Sequence, residues 1–303
     1  MKIILSIVTI LILSANAHAQ SAKSYYMKGR AELLINHDSA AVNYFNKAIA
    51  LNPKYINAYR YRAEAKSHGS DYDDAFADYS KAIELDPKNA ELYYERGQLS
   101  SDYGKYEDAI PDFDKAVSFD HKYASAYNAK ADAEFQLNQY KNSIEDNTKA
   151  IELKPGFSDA FNYRGEAEFA LRDFKSAISD YDKAITFSIL DTFCYYNRGI
   201  AYDSTGQYEK ALKDFNAALY SSTAYYDAFF GRAFTEIKLN KNDSAIHDFN
   251  KVIKADPSNG TAFYYRGIAQ HNLKRNESAC SDFKKAVTFG AIEAENAINK
   301  WCN

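Results

Sequence analysis

The chain has 303 residues and a formal net charge of −4, with 46% hydrophobic and 15% aromatic side chains. Twelve Gly and five Pro exclude collagen-like and Pro/Gly-rich disordered classes, and three Cys cannot build a disulfide-dense scaffold. The slightly acidic balance argues against a nucleic-acid partner held by phosphate neutralisation, and the length suits either two compact domains or one elongated array.

Residues 1–19 read MKIILSIVTILILSANAHA. Lys2 precedes an apolar run from Ile3 to Leu13, and the stretch closes on Ala17-His18-Ala19. That order of cation, apolar run and small-x-small site predicts a secretory signal cleaved before Gln20. As a helix the run would reach about 16 Å, half the roughly 30 Å hydrocarbon layer, so a membrane anchor is disfavoured. No Cys follows for lipid attachment, and no later segment is apolar enough to span. The expected product is exported, periplasmic or secreted, with a bacterial envelope as the natural setting.

From Ala22 onward the sequence repeats every 34 residues, as the strings opening at Asp78, Asp112, Asp146, Asp180, Asp214, Asp248 and Asp282 show. Eight units fit without an insertion: 22–55, 56–89, 90–123, 124–157, 158–191, 192–225, 226–259 and 260–293. Position 4 of each is aromatic (Tyr25, Tyr59, Tyr93, Tyr127, Phe161, Tyr195, Phe229, Phe263), and position 8 is always Gly or Ala. Position 20 is Ala except at Ser143, and position 24 is aromatic except at Asn147. Positions 4, 8 and 11 fall on one face of a first helix, and 20, 24 and 27 on one face of a second. Small residues let the two helices approach while the aromatics fill the space between them. Links such as Tyr103-Gly104-Lys105 suit a helix C-terminus, and Pro53, Pro87, Pro155 and Pro257 at position 32 separate one unit from the next. One such hairpin cannot bury its own apolar faces, so copies must stack.

This pattern resembles the tetratricopeptide repeat family over Ala22–Glu293. The resemblance implies an all-α, right-handed superhelical solenoid of eight helix-turn-helix repeats. His121, Ile189, Thr223 and Ala291 depart from the Pro position, and Ser143 with Asn147 predicts a softer joint in the fourth repeat. Residues 294–303, with Ala297, Ile298 and Trp301 at helical spacing, predict a capping helix.

Position 7 is basic in all eight repeats (Lys28, Arg62, Arg96, Lys130, Arg164, Arg198, Arg232, Arg266), although the family consensus prefers Leu there. Position 23 is Asp in seven. The matched periodicity of both signs predicts a structural Arg–Asp pair rather than a ladder of anion sites.

In the family the inner wall is lined by positions 2, 5, 9, 12 and 13. Carried over, these give an acidic stretch of Glu64, Glu91, Asp102, Asp132, Asp159 and Glu166, then an apolar one of Phe193, Tyr196, Ile200, Phe230, Phe234, Ile237, Tyr264 and Ile268. Solvent-facing apolar side chains at that density mark an interaction site, so the expected function is a non-enzymatic scaffold binding a protein or peptide in this groove; the alternative is that these aromatics pack on one another or on the capping helix. One rival is carbohydrate or cell-wall binding on Tyr196, Phe230 and Tyr264, which the Ile-rich lining disfavours. Another is self-association through the groove or an uncapped N-terminal face. The family subtype that clamps chaperone C-termini uses Lys at position 5 and Asn at position 9, and neither occurs here.

No phosphate loop, dinucleotide fingerprint, His-Glu-x-x-His or nucleophile elbow is present, so no enzyme, cofactor or metal is expected. Cys280 and Cys302 lie at comparable distances from a turn near Gly290 and could be bridged, with two free thiols as the alternative; Cys194 is expected simply to be buried.

Overall fold

The computed structural model describes residues 21–69, 71–188 and 192–302, and among them are 17 helices and no strand. The signal-like leader, Ile189 and Asn303 lie outside the described residues. The chain divides into two compact units, Met1–Asn138 and Gln139–Asn303. The division falls within the fourth repeat, between its two helices.

The first unit holds α1 (Ala22–Leu34), α2 (Asp38–Leu51), α3 (Ile56–Ser67), α4 (Tyr72–Leu85), α5 (Ala90–Asp102), α6 (Tyr106–Phe119) and α7 (Ala124–Gln136). The second holds α8 (Tyr140–Leu153), α9 (Ser158–Ala170), α10 (Phe174–Phe187), α11 (Thr192–Ser204), α12 (Tyr208–Ser221), α13 (Tyr226–Lys238), α14 (Asn242–Ala255), α15 (Gly260–Asn272), α16 (Asn276–Thr288) and α17 (Glu293–Trp301). Within each unit the helices pack as successive antiparallel pairs, the repeat solenoid expected from the period.

Every pair but that of the fourth repeat closes around one aromatic ring at position 24. Phe45, Phe113, Phe215, Phe249 and Phe283, all at position 24, are fully buried, each contributing roughly 2–3 kcal/mol of apolar transfer. The rings lie directly over position 8: a Cβ added at Gly29 would stand 2.6 Å from Phe45, and one at Gly267 2.6 Å from Phe283. In the fourth repeat Ser143 and Asn147 take the corresponding buried places, and the Ser143 hydroxyl has no hydrogen-bond partner among the described residues.

Position 15, just past the first helix, is left-handed in every repeat where it is described: Asn36, Gly104, Asn138, Arg172, Gly206, Asn240 and Lys274. This is the αL residue that ends a helix, favoured by Gly and Asn and costly for Arg or Lys. Pro111 lies inside α6, where its ring removes one helical hydrogen bond.

The paired charges form a clip. Arg62, Arg96, Arg164, Arg198, Arg232 and Arg266 each grip the position-23 Asp of their own repeat through Nε and Nη2. Their Nη1 donates to position 25 of the preceding repeat, at Asn46, Ser80, Thr148, Asp182, Asn216 and Asn250 respectively. Lys130 repeats the second contact on Asp114 at 2.8 Å. In the first repeat, where Tyr44 replaces Asp, the Lys28 ammonium lies 5.9 Å from the Tyr44 ring. The last repeat carries Lys284 at position 25.

Helix α17 covers the end of the second unit. Ala294 and Ala297 join Phe263 and Phe283 in one buried cluster, and Trp301 packs on Phe283 at 5.7 Å while stacking on His271 at 4.3 Å. Glu295, Asn296 and Lys300 remain exposed, giving the polar outer side that a terminal cap requires. Cys280 and Cys302 are joined by a disulfide with Cα atoms 5.7 Å apart. Cys194 is buried and takes no part in a disulfide.

Candidate functional site

The groove positions lie on the first helix of each repeat, which sets them on one wall of each unit. In the first unit, α1 and α3 begin that wall with Tyr26, whose ring is 5.0 Å from Tyr55 and 5.9 Å from Tyr61. The Arg30 guanidinium stacks 3.7 Å above Tyr61. The acidic stretch that follows is not a row of free carboxylates. Arg60, at position 5 of the second repeat, grips Glu91 through Nη1 and Nη2 at 2.9 and 2.6 Å and Glu95 through Nε and Nη2. Burial opposes the Arg60 charge, but the hydrogen bonds and negative charge of Glu95 and Glu91 prevail, so its pKa lies above the usual arginine value. Burial outweighs Arg60 at Glu95 and raises that carboxyl; burial also raises Asp102. Glu64 and Asp132 are half-buried and Glu91 is exposed; Asp102 is exposed as a whole residue, although neighbouring atoms desolvate its carboxyl enough to raise it.

The wall of the second unit opens with an exposed Asp159 and a bound Glu166. Glu166 Oε1 accepts from Asn162 Nδ2 at 2.9 Å and Asn197 Nδ2 at 2.7 Å, and the Cys194 thiol donates to Asn162 Oδ1 at 3.4 Å. Beyond it come the apolar positions, and they are not uniformly solvent-facing as the spacing suggested. Phe193 is 62% exposed, while Tyr196, Ile200, Phe230, Phe234, Ile237, Tyr264 and Ile268 are half-buried. Tyr265, at position 6, is the reason for part of this. Its ring takes edge contacts from Phe230 at 5.9 Å, Phe234 at 4.9 Å and Tyr264 at 5.1 Å. Tyr225 similarly meets Tyr196 at 5.1 Å and Phe193 at 5.6 Å. A charged rim adjoins these rings: Lys238 Nζ lies 4.3 Å from the Phe234 ring and 2.6 Å from Asp203, which also accepts from Thr235 Oγ1 at 2.8 Å.

Arg60, Glu95, Tyr265, Asn162 and Asn197 were not picked out from the sequence as parts of this wall. Glu95, Asn197 and Tyr265 occupy position 6, which a reading of position 5 alone overlooks; Arg60 and Asn162 occupy position 5 itself but are neither acidic nor apolar, so they fall in neither stretch. Among the described residues no group of His, Cys, Asp and Glu is arranged to hold a metal ion, and no helix is long and apolar enough to cross a membrane.

Family models match along most of the chain. Those described as tetratricopeptide repeat match residues 22–55, 193–220, and 94–156, 128–190 and 230–294; one described as TPR repeat matches 69–100. No curated protein matches. Among solved structures, a tetratricopeptide repeat protein from Parabacteroides merdae is 20% identical with a TM-score of 0.61, covering 82% of this chain and 99% of that one. The Cut9–Hcn1 structure of the APC/C hetero-tetramer is 13% identical with a TM-score of 0.65, covering 88% of this chain and 53% of that one, so the match spans about half of its length. YrrB, described as a TPR protein with an unusual peptide-binding site, is 24% identical with a TM-score of 0.50, covering 59% of this chain and 92% of that one. At these identities the likenesses speak for the fold. With the 34-residue period, the helix pairs and the matched family models together, the chain belongs to the tetratricopeptide repeat family.

Proposed function

We propose that this protein is an exported, non-enzymatic scaffold that binds an extended peptide or a partner helix along the first-helix wall of its second unit. The observation that carries this reading is the row of half-exposed rings from Phe193 to Tyr264, held edge-on by Tyr225 and Tyr265. Aromatic side chains fixed in this way lose little entropy when a ligand covers their remaining surface. Asp203 and Lys238 on the rim offer paired charges that could orient a backbone or a polar side chain. The acidic stretch, less the part neutralised by Arg60, would favour a basic flank. YrrB, with a peptide-binding site on a related fold, is consistent with the same class of ligand.

Export is supported by the signal-like leader and by the Cys280–Cys302 bridge, since disulfides persist in oxidising compartments. Carbohydrate stacking is the weaker reading, because Tyr196, Phe230 and Tyr264 meet their neighbours edge-on and are half-buried instead of offering open flat faces.

The test is selection of displayed random peptides on the immobilised full chain, repeated with a Phe193→Ser/Phe234→Ser variant. Peptides enriched on the wild type are expected to lose most of their binding to a folded variant. Equal retention by both proteins would remove the groove from consideration.

A further inference from the structure

A second surface lies away from the groove, where the end of α14 meets the start of α13, and the other repeats serve as its controls. At this place three repeats stack a position-30 phenylalanine on the position-4 ring: Phe119 on Tyr93 at 5.6 Å, Phe187 on Phe161 at 5.9 Å and Phe289 on Phe263 at 5.7 Å. Three others carry Leu51, Leu85 and Leu153 at position 30. The sixth and seventh repeats carry small residues instead, Ser221 and Ala255. A hollow results, lined by Thr223, Tyr226, Phe229, Lys251, Lys254 and Ala255.

Its charge is also unlike that of its sisters. Position 26 is Lys in seven repeats, and in the second and fourth this Lys is neutralised by Glu at position 29, Lys81 on Glu84 and Lys149 on Glu152. In the seventh repeat position 29 is Lys254. Lys254 has no hydrogen-bond or ion-pair partner among the described residues, and Lys251 Nζ lies 4.2 Å from the Phe229 ring, with Asp248 Oδ1 3.6 Å away. Nearby Asp256 is occupied by Ser258, which donates to it through its backbone N–H and its hydroxyl. The place that six repeats give to Phe or Leu is therefore open at Ala255, and the seventh repeat, unlike the sixth with Ala217 and Tyr220 at positions 26 and 29, flanks it with two ammonium groups.

We infer that this hollow receives a bulky apolar side chain, phenylalanine or leucine, from an acidic segment of a protein partner. The inserted side chain takes the place of the absent position-30 group over Phe229. Lys251 swings off the ring, and with Lys254 it pairs with carboxylates flanking the insert. An apolar anchor supplies the contact area and the flanking charges its selectivity. The inference is independent of the groove, which lies on other positions of the first helices.

The experiment titrates the full chain into a fluorescein-labelled peptide, Asp-Glu-Phe-Glu-Asp, capped at its C-terminus, and follows anisotropy. The wild type is expected to bind it, and Ala255→Phe to weaken binding at least tenfold while its urea midpoint stays at or above that of the wild type. Ala255→Leu, which copies three sister repeats, provides a second filled slot should the phenylalanine variant fail to fold, and Lys254→Glu is expected to weaken binding at least fivefold. Replacing the peptide's Phe by Ala, or its acids by their amides, is expected to have comparable effects, whereas Phe193→Ser/Phe234→Ser leaves binding unchanged. Binding unaltered by a filled slot, or no binding by the wild type up to 1 mM peptide, would overturn the inference. So would a concentration-dependent dimer abolished by Ala255→Phe, which would make a second copy of the chain the occupant.

Discussion

Arg266 and Asp282 meet through two parallel hydrogen bonds, Nε to Oδ2 at 2.7 Å and Nη2 to Oδ1 at 2.6 Å, while the remaining arm of the same guanidinium reaches Asn250 of the preceding repeat at 2.6 Å. The carboxylate is buried and the arginine nearly so. A charge-assisted fork of this kind fixes direction as well as distance, so one side chain sets both the pairing within a repeat and the register between two.

The clip should therefore fail asymmetrically when cut. In the seventh repeat Asp248 is 1% exposed, and Arg232→Leu would leave it buried without its main counter-charge. A loss of about 3–5 kcal/mol is expected, whereas Arg232→Leu combined with Asp248→Ala should cost far less because no charge is stranded. Urea unfolding of the two variants, read by circular dichroism, distinguishes these outcomes. Equal destabilisation would mean that the fork itself, and not the orphaned charge, dominates.

Glu168 gives the fold a pH dependence of defined sign. Burial first, then the neighbouring Asp180 charge, push its carboxyl up to about 7, with Arg164 opposing them and Asp173 adding to the rise. One of its oxygens is buried with no hydrogen-bond partner among the described residues. Because the folded pKa lies above that of an unfolded glutamate, near 4.3, the folded state binds the extra proton between these values. The carboxyl's favourable share is complete below about pH 4 and is lost as pH rises through about 7. Glu168→Gln is expected to raise the melting temperature by roughly 2 °C or more at pH 8 and by little at pH 4.5. A gain independent of pH would contradict this.

Pro111 sits within α6, where the other repeats carry residues able to donate, such as Ala77, Lys213 and His247. Pro111→Ala restores the missing backbone hydrogen bond and is expected to stabilise the first unit by about 1–3 kcal/mol. Hydrogen exchange at the restored amide and the unfolding midpoint report on it together.

At position 15, Lys274 adopts φ of 62° and Arg172 φ of 64°, a conformation that Gly104 and Gly206 reach without strain. Lys274→Gly is expected to stabilise the eighth repeat by about 1 kcal/mol, and Gly104→Ala to destabilise the third by a similar amount. Thermal melts of the single variants suffice, and opposite signs are the result that matters.

The helix pairs were legible because their determinants repeat as residue types: an aromatic at position 4, a small residue at 8, an aromatic at 24. The Arg–Asp fork was legible for the same reason. Its third contact was not, because Asn46, Ser80, Asp114, Thr148, Asp182, Asn216 and Asn250 share an acceptor oxygen and nothing else. The left-handed position was visible at Gly104 and Gly206 but hidden where Arg172 and Lys274 are held there by the helices on either side. The wall proved harder to read. Its positions come from the family pattern, but exposure at each depends on a neighbour one residue away, as Tyr265 shows beside Tyr264, and Arg60 cancels charges 31 and 35 residues distant.

Lys284 stands where seven earlier side chains accept from the next repeat, and it is a donor. A ninth hairpin grafted after the eighth would bring its guanidinium against an ammonium, and like charges repel where every previous junction attracts. The array thus carries its own full stop in a single residue. Duplicating an interior hairpin would preserve the chemistry of every seam, whereas lengthening the chain at its far end would first require that lysine to be rewritten.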